Sequence, residues 1–244
     1  MQSTPLIETV PPWTLYRYDS VTSTNDLARS LRRDNDGWLA VSAAFQAAGR
    51  GQHGRVWHAP RGANLLVTFV PPPTAIACGD AIVAAAAVAV CATLDACGLA
   101  ARAKWPNDVR VRDAKIAGVL IERDGPDVYI GVGLNVDWPP ERHAAAPGET
   151  WTSIRAECAR SPGPQAMLRL LADALVVQLR DAPANVVARY RALLPRADAP
   201  VSAYVDGRWQ PAHIVGVTSD CGLEIRLRDG SPAIVRSSAH MRTM

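Results

Sequence analysis

The feature that most restricts the fold of this chain is a succession of four short strand-like segments with no helix between them. They cover residues 101–105, 109–111, 116–122 and 128–136. A doubly wound fold alternates strands with helices, whereas strands that follow one another in runs are typical of an α+β fold. The sequence therefore predicts an α+β architecture with a mixed sheet.

Other segments add helices and further strands. Strands are predicted at residues 15–18, 38–45 and 64–70, and helices beginning near residue 24 and over 79–97, 151–159 and 164–194. The first of these helices has a hydroxyl or amide side chain at its start, within Ser23-Thr24-Asn25-Asp26, which predicts a side-chain cap. The apolar run at 81–94 is shorter than the ~20 residues that span a bilayer, so we interpret it as a buried helix.

The end of the chain has a different pattern. Short alternating segments at residues 212–217, 223–227 and 233–235 are separated by glycine-containing turns, which is typical of a small β barrel. Residues 139–148 are predicted to form a surface loop, and residues 195–200 a linker. We therefore expect two domains, a large one over residues 1–197 and a small barrel over 198–244.

Composition excludes several classes of protein. The formal net charge of +3 is too small to indicate a nucleic-acid coat. The five cysteines are odd in number and never form a C-x-x-C pair, which argues against a disulfide framework and a zinc site. The first ten residues lack the pattern of a secretory signal. We expect a cytoplasmic protein that binds neither DNA nor a membrane.

Lysine is almost absent from the chain. Of the 26 basic residues, only Lys104 and Lys115 are lysines, and both fall within one short stretch that ends at Glu122. A lysine ammonium is a compact point charge, whereas the arginine guanidinium is a wide planar fork, so a site fitted around one rejects the other. Packing of a lysine stem against apolar neighbours is the alternative explanation. The pattern favours a functional role for both lysines.

A glycine- and arginine-rich loop lies between two predicted strands. Residues 49–54 read Gly-Arg-Gly-Gln-His-Gly and match G-x-G-x-x-G, but the following residues cannot begin a regular helix, and no acidic residue occurs before Asp80. Both features are required of a dinucleotide-binding fingerprint, so that interpretation is rejected. The loop is either an anion-binding loop that closes over a phosphate or a solvated surface loop.

Three further patterns lie close to this loop or to the lysines. Trp57 either stacks on a purine or packs in the core. Asp108 follows a Pro-Asn turn and is available to hold a loop or a metal, although a plain turn explains Pro106-Asn107 equally well. Glycines inside the strands, such as Gly118 and those at 131 and 133, suggest that a ligand lies against the backbone. No Ser-His-Asp set and no H-E-x-x-H motif is found.

Taken in order and spacing, these segments resemble the biotin protein ligase family. The resemblance rests on Ser23-Thr24-Asn25, the run Gln46–Trp57, the two-lysine stretch and residues 131–135, and it covers residues 16–154 strongly and the C-terminal region weakly. It implies a mixed sheet related to class II aminoacyl-tRNA synthetases, followed by an SH3-like small β barrel. The bifunctional members of the family carry an N-terminal DNA-binding domain, for which we see no room here.

The resemblance also implies roles for individual residues. Ser23, Thr24 and Gln46 would hydrogen-bond the ureido head of biotin, while Arg50 and Gly51 would order over the carboxylate and phosphate, and Lys115 would bridge the two. Trp57 and Trp151 would frame the adenine. The complete predicted set consists of Ser23, Thr24, Asn25, Gln46, Arg50, Gly51, Gln52, Trp57, Lys104, Lys115, Gly118, Asn135, Trp151 and Arg242, with Lys115 and Arg50 as the catalytic pair and no protein ligands for a metal.

The expected reaction has two steps. Biotin is activated by ATP, with Mg²⁺, to biotinyl-5'-AMP, and is then transferred to a lysine of a biotin carboxyl carrier protein of acetyl-CoA carboxylase or another biotin-dependent carboxylase. A lipoate or octanoate ligase or transferase is the alternative enzyme, and a biotin- or DNA-binding regulator without turnover is the alternative class. We expect a monomer or a weak homodimer. One departure from the family pattern is Gln52, where an arginine is usual.

Overall fold

A computed structural model shows a large mixed sheet that carries helices on both faces. It describes residues 4–138, 150–158, 160–195 and 199–243. The sheet has eight strands in the order β1-β2-β3-β4-β8-β7-β6-β5. Only β2 and β3 pair in parallel, and every other neighbouring pair is antiparallel. The predicted α+β class is confirmed.

The described residues form eight strands of the large sheet, five α-helices and five C-terminal strands. The strands of the large sheet are β1 (Leu6–Val10), β2 (Trp13–Tyr18), β3 (Leu39–Ala43), β4 (Asn64–Val70), β5 (Ala101–Lys104), β6 (Asp108–Val111), β7 (Ala114–Asp124) and β8 (Asp127–Asn135). The α-helices are α1 (Thr24–Arg32), α2 (Ile82–Asp95), α3 (Ile154–Glu157), α4 (Pro164–Leu179) and α5 (Pro183–Leu193). The C-terminal strands are β9 (Pro200–Val205), β10 (Arg208–Val217), β11 (Leu223–Leu227), β12 (Pro232–Val235) and β13 (Met241–Thr243).

The alanine-rich helix α2 forms the centre of the core. It contacts β5, β6 and β7 on one side and α4 and α5 on the other, so it is surrounded by protein. This explains why nearly all its residues are buried and why it has no polar face. Helix α1 packs on the opposite face of the sheet, against β3, β4 and β8. That opposite face is left partly open beside α1.

The C-terminal strands form a second, antiparallel sheet in the order β12-β11-β10-β9-β13. Because β12 also contacts β9, the sheet curls toward closure, as a small barrel requires. Its inner residues belong to the same hydrophobic cluster as the core around α2. Trp105 Nε1 also donates to the Cys221 carbonyl at 2.7 Å. The boundary between residues 197 and 198 stays a prediction, since the two sheets share one core.

Several local predictions are corrected. The single helix expected over 164–194 is two helices, because Pro183 cannot supply an amide to the preceding turn and begins α5 instead. The helix expected over 151–159 is only the single turn α3. Strands β1 and β13 were not predicted. The predicted loop at 139–148 lies outside the described residues, as does part of the predicted linker. No helix in the described ranges is both long and apolar enough to cross a membrane.

Candidate active site

A cavity of about 1060 Å³ opens on the α1 face of the large sheet, beneath the loop that connects β3 to β4. Its walls come from α1, β4, β6, β7 and β8, from that loop, and from the end of the C-terminal sheet. Every predicted site residue except Asn135 lies on its surface: Ser23, Thr24, Asn25, Gln46, Arg50, Gly51, Gln52, Trp57, Lys104, Lys115, Gly118, Trp151 and Arg242. Segments far apart in sequence therefore meet at one place, as the resemblance implied.

Asn135 is placed elsewhere, in contrast to the prediction. It is completely buried, and its amide is satisfied by protein atoms. Its Oδ1 accepts from Asn64 Nδ2 at 3.0 Å and its Nδ2 donates to the Thr152 carbonyl at 3.0 Å. The side chain therefore anchors the segment that carries Trp151, and does not reach the cavity surface.

One wall of the cavity is formed by neutral polar groups. The Gln46 carbonyl oxygen accepts from the Thr24 backbone amide at 2.7 Å and from the Thr24 hydroxyl at 3.0 Å. Ser23, at the start of α1, makes no side-chain cap, so the predicted cap is wrong, and Gln46 takes the first amide of the helix instead. Ser23 is 4% exposed and lies on the cavity surface.

A buried threonine that the sequence did not single out completes this wall. Thr68 in β4 is fully buried, and its hydroxyl donates to Asn25 Oδ1 and lies 2.8 Å from Thr24 Oγ1. Asn25 Nδ2 in turn donates to Glu122 Oε2 at 3.0 Å. We refer to Thr24, Asn25, Gln46 and Thr68 as the neutral wall. Its groups are fixed by one another before any ligand arrives.

Arg50 connects the loop to this wall. Its guanidinium contacts both oxygens of Asp26, at 2.6 and 2.7 Å, and Glu122 Oε1 at 3.3 Å. The hydrogen bond from Arg50 lowers the pKa of Asp26, assisted by the charges of Arg50 and Arg29. The same contact with Asp26 raises the pKa of Arg50. The resemblance places Arg50 over a carboxylate and phosphate, whereas here its charge is held by two protein carboxylates.

The opposite wall is built around Lys115. Its Nζ lies 2.8 Å from Asp108 Oδ1, and the two side chains are 12% and 16% exposed. The same Nζ lies 5.5 Å from the ring centroid of Trp57 and 5.7 Å from that of Trp151, within cation–π range. We call Lys104, Asp108, Lys115 and the two tryptophans the cationic wall. The confined setting of Lys115 supports the expectation that a point charge is needed there.

The strand glycines make room for protein side chains. A Cβ on Gly133 would lie 2.6 Å from Trp57 Cζ2, and one on Gly118 would lie 3.0 Å from Trp57 Cζ3. A Cβ on Gly131 would meet Asn25 Oδ1 at 2.7 Å. Trp57 and Asn25 pack against these glycines, which also lie on the cavity surface, so contact of a ligand with them stays a prediction. Trp57 Nε1 is buried without a hydrogen-bond partner among the described residues.

The remaining loop residues join the cavity to the C-terminal sheet. The Gly51 amide donates to the Arg55 carbonyl at 2.7 Å, and Gln52 begins a short 3₁₀ turn. His53 Nε2 lies 3.1 Å from Ser238 Oγ. Arg242 packs over the Trp209 ring at 3.9 Å from its centroid. Among the described residues there is no cluster of three or more metal-ligating side chains.

The fold and site define a class of protein: an α+β domain in which one cavity combines neutral hydrogen-bonding groups with a lysine-centred wall. The sequence model of the biotin/lipoate A/B protein ligase family matches residues 16–137. A biotin--[acetyl-CoA-carboxylase] ligase of Paracoccus denitrificans is 39% identical over 166 residues, which are 62% of this chain and 67% of that protein. One from Mycobacterium tuberculosis is 33% identical over 181 residues, 70% of this chain and 66% of its own. The chain belongs to the biotin/lipoate A/B protein ligase family.

Solved structures show the same fold. Biotin protein ligase from Aquifex aeolicus, in complex with biotin and ATP, matches with a TM-score of 0.77 at 20% identity over 94% of this chain and 99% of that one. The Leishmania major enzyme in complex with biotinyl-5-AMP matches with a TM-score of 0.66 at 24% identity over 91% of this chain and 98% of that one. The aligned segments span about two thirds of the length of the two bacterial relatives above.

Proposed function

We propose that this chain is an ATP-dependent biotin protein ligase. The observation that carries the proposal is the pairing of the neutral wall with the cationic wall in one cavity. A bicyclic urea is neutral and needs fixed donors and acceptors, which Ser23, Thr24 and Gln46 offer. Joining a carboxylate to a phosphate needs concentrated positive charge, which Lys115 offers. The relatives named above are biotin ligases, which supports the same reading.

The reaction follows from the two walls. The biotin carboxylate attacks the α-phosphorus of ATP, pyrophosphate leaves, and biotinyl-5'-AMP remains in the cavity. A carrier lysine then attacks the acyl carbon, and AMP leaves. Positioning and charge stabilisation suffice for both steps, so no enzyme nucleophile is needed. Asp108 is already paired with Lys115. Mg²⁺ would therefore be held mainly by the ATP phosphates, as is usual for this ion.

The proposed carrier is a biotin carboxyl carrier protein of acetyl-CoA carboxylase, in line with the names of the relatives. We propose that residues 1–197 form the catalytic domain and residues 198–244 a small barrel that assists ATP use or carrier docking. Arg242 on the cavity surface supports that role for the barrel. The proposed oligomeric state, a monomer or weak homodimer, and the cytoplasmic location stay predictions.

A lipoate or octanoate ligase is the second candidate, because the family includes such enzymes. Those substrates end in apolar or disulfide groups, which offer no ureido donors and acceptors to the neutral wall. ATP–pyrophosphate exchange with biotin, lipoate or octanoate supplied in turn separates the two. We expect exchange only with biotin and Mg²⁺. Equal exchange with lipoate would overturn the substrate assignment, and absence of exchange with all three would overturn the enzymatic role.

A further inference from the structure

A row of cations runs from the cavity to the edge of the large sheet. In the strand register, Arg102 of β5 pairs with Arg110 of β6, and Arg110 pairs with Lys115 of β7. Their neighbours Ala103 and Val109 are buried on the opposite face, against the core. Side chains alternate between the two faces of a strand, so the three cations share the face that bears the cavity. We call Arg102, Arg110 and Lys115 the cation row.

Within this row, Lys115 is balanced by an acid and the two arginines are not. Lys115 lies 2.8 Å from Asp108. Arg110 donates Nη1 to the uncharged backbone carbonyl of Asp113, and its Nε is buried with no hydrogen-bond partner among the described residues. Arg102 forms no ion pair with any described residue. Arg110 forms no ion pair with the Asp113 carboxylate, and Glu157 is engaged by Arg112 at 3.2 Å and by Thr152.

Such an arrangement destabilises the free protein. Like charges directly opposite on neighbouring strands repel one another, and a buried donor without a partner adds the cost of its lost hydration. The repulsion is relieved when an anion binds between the two guanidinium groups. The row spans two inter-strand spacings, roughly 10 Å, and it begins at a residue of the cavity surface. The ligand that fits is therefore a polyanion that extends out of the cavity.

We propose that Arg110 and Arg102 form the subsite for the β- and γ-phosphates of ATP and for the pyrophosphate that leaves. This inference rests on the proposed function. When the biotin carboxylate oxygen bonds to the α-phosphorus, the bond from the α-phosphorus to the bridging oxygen breaks, and its electron pair leaves with pyrophosphate. Two guanidinium groups at the bridging and terminal oxygens stabilise that charge, as bidentate arginine–phosphate pairs do.

The cation row acts in only one of the two half-reactions. Biotinyl-5'-AMP carries no β- or γ-phosphate, so the transfer of biotin from preformed adenylate to a carrier does not involve the cation row. Adenylate formation and its reversal by pyrophosphate both do. Loss of either arginine should therefore change only the steps in which ATP or pyrophosphate takes part.

The test compares Arg102→Gln, Arg110→Gln and the double variant with Arg33→Gln, an exposed arginine at the end of α1, as the matched control. The KM for MgATP and the inhibition constant of inorganic pyrophosphate should each rise about 10-fold per arginine removed. Single-turnover transfer from preformed biotinyl-5'-AMP should stay within about twofold of the parent, and Arg110→Lys should restore part of the loss. Arg102→Gln keeps the test valid if Arg110→Gln disturbs the turn at Asp113.

Two results would overturn the proposal. One is an unchanged KM for MgATP and unchanged inhibition by pyrophosphate in a folded double variant. The other is slower transfer from preformed adenylate with a raised KM for the carrier, which would make the row a docking surface for an acidic protein. A parent protein without biotin-dependent exchange would instead overturn the proposed function, and direct binding of inorganic pyrophosphate to the parent and the double variant would still test the subsite.

Discussion

The two walls of the cavity differ in the origin of their parts and in how they are satisfied. The neutral wall joins α1, the β3–β4 loop and β4, and its inner groups Asn25 and Thr68 are buried and bonded to one another. The cationic wall draws its lysines and Asp108 from a single run of residues, 104–115, and its lysine–aspartate pair keeps some exposure to the cavity. The neutral wall is preformed and selects its ligand by shape. In the cationic wall, a bound phosphate can replace Asp108 as the partner of Lys115.

The largest effect is expected from Lys115→Arg. The charge is retained, but a planar fork does not fit between Asp108 and two indole rings within 5.7 Å, so biotin-dependent ATP–pyrophosphate exchange should fall by about 100- to 1000-fold. Biotin binding, measured by calorimetry, should change little, because the neutral wall is intact. Arg33→Lys, the reverse change at an exposed site, serves as control. Unaltered exchange in Lys115→Arg would show that the niche accepts either cation.

Thr68→Val tests the neutral wall. The change leaves Asn25 Oδ1 without the hydroxyl that bonds it, and a buried unsatisfied acceptor costs about 1–3 kcal/mol. We expect the KM for biotin to rise about 10-fold while the KM for MgATP stays constant. The matched control is Thr93→Val, a buried threonine of α2 that bonds the Ala89 carbonyl away from the cavity. An equal rise in both KM values would mean that the two walls are not independent.

Asp26→Asn tests the contact that holds the loop over the cavity. Arg50 and Asp26 are 38% and 45% exposed, and such pairs contribute up to about 1 kcal/mol, so loss of bound biotinyl-5'-AMP should become about two- to fivefold faster. Asp124→Asn is the control, because Asp124 contacts Arg29 and is 62% exposed. Equal release rates in both variants would remove Asp26 from loop closure.

The pH dependence of the same contact follows from the lowered pKa of Asp26. A carboxylate with a depressed pKa in the folded state contributes stability above its unfolded value near 3.8, and that stability is lost as the pH falls through the lowered pKa. The Arg50–Asp26 pair is therefore fully ionised at neutral pH. Release of the adenylate from the parent should show no titration by this pair between about pH 5 and 8.

The smallest effect is expected from Gln52→Arg. An arginine there would help to hold the anionic adenylate, so labelling of an added lysine-rich protein should decrease by about twofold relative to the parent. With only two lysines in the chain, self-labelling should be low in both. In the alternative explanation, His53 or Arg55 supplies the positive charge that Gln52 lacks. Gln165→Arg on α4 is the control for added charge. Equal bystander labelling in Gln52→Arg and the parent would favour that alternative.

Local sequence patterns were enough to predict most strands and helices of the fold. The mostly apolar runs of β4 and β8, the length of α2 and the turns of the C-terminal sheet depend on neighbouring residues, and each was predicted within a few positions. The wrong predictions concern elements whose formation depends on tertiary contacts. The single turn α3 is held by Ser153, whose hydroxyl accepts from the Ala156 amide, rather than by an apolar stripe long enough to predict. Strand β13 is three residues long and forms only because β9 lies beside it.

By itself, the sequence determined which groups the chain carries, whereas the resemblance to biotin protein ligases assigned the two lysines, the glycine–arginine loop and the Ser-Thr-Asn segment to one site. Only the tertiary structure decided what those residues contact. Arg50 meets Asp26 from 24 positions away, and Asn25 meets Glu122 from 97, because α1 crosses β4 and β8 and the strand order brings β7 next to β8. Composition and spacing record which groups a chain carries, whereas strand order and register fix their distances, and Coulombic and hydrogen-bond energies depend on distance.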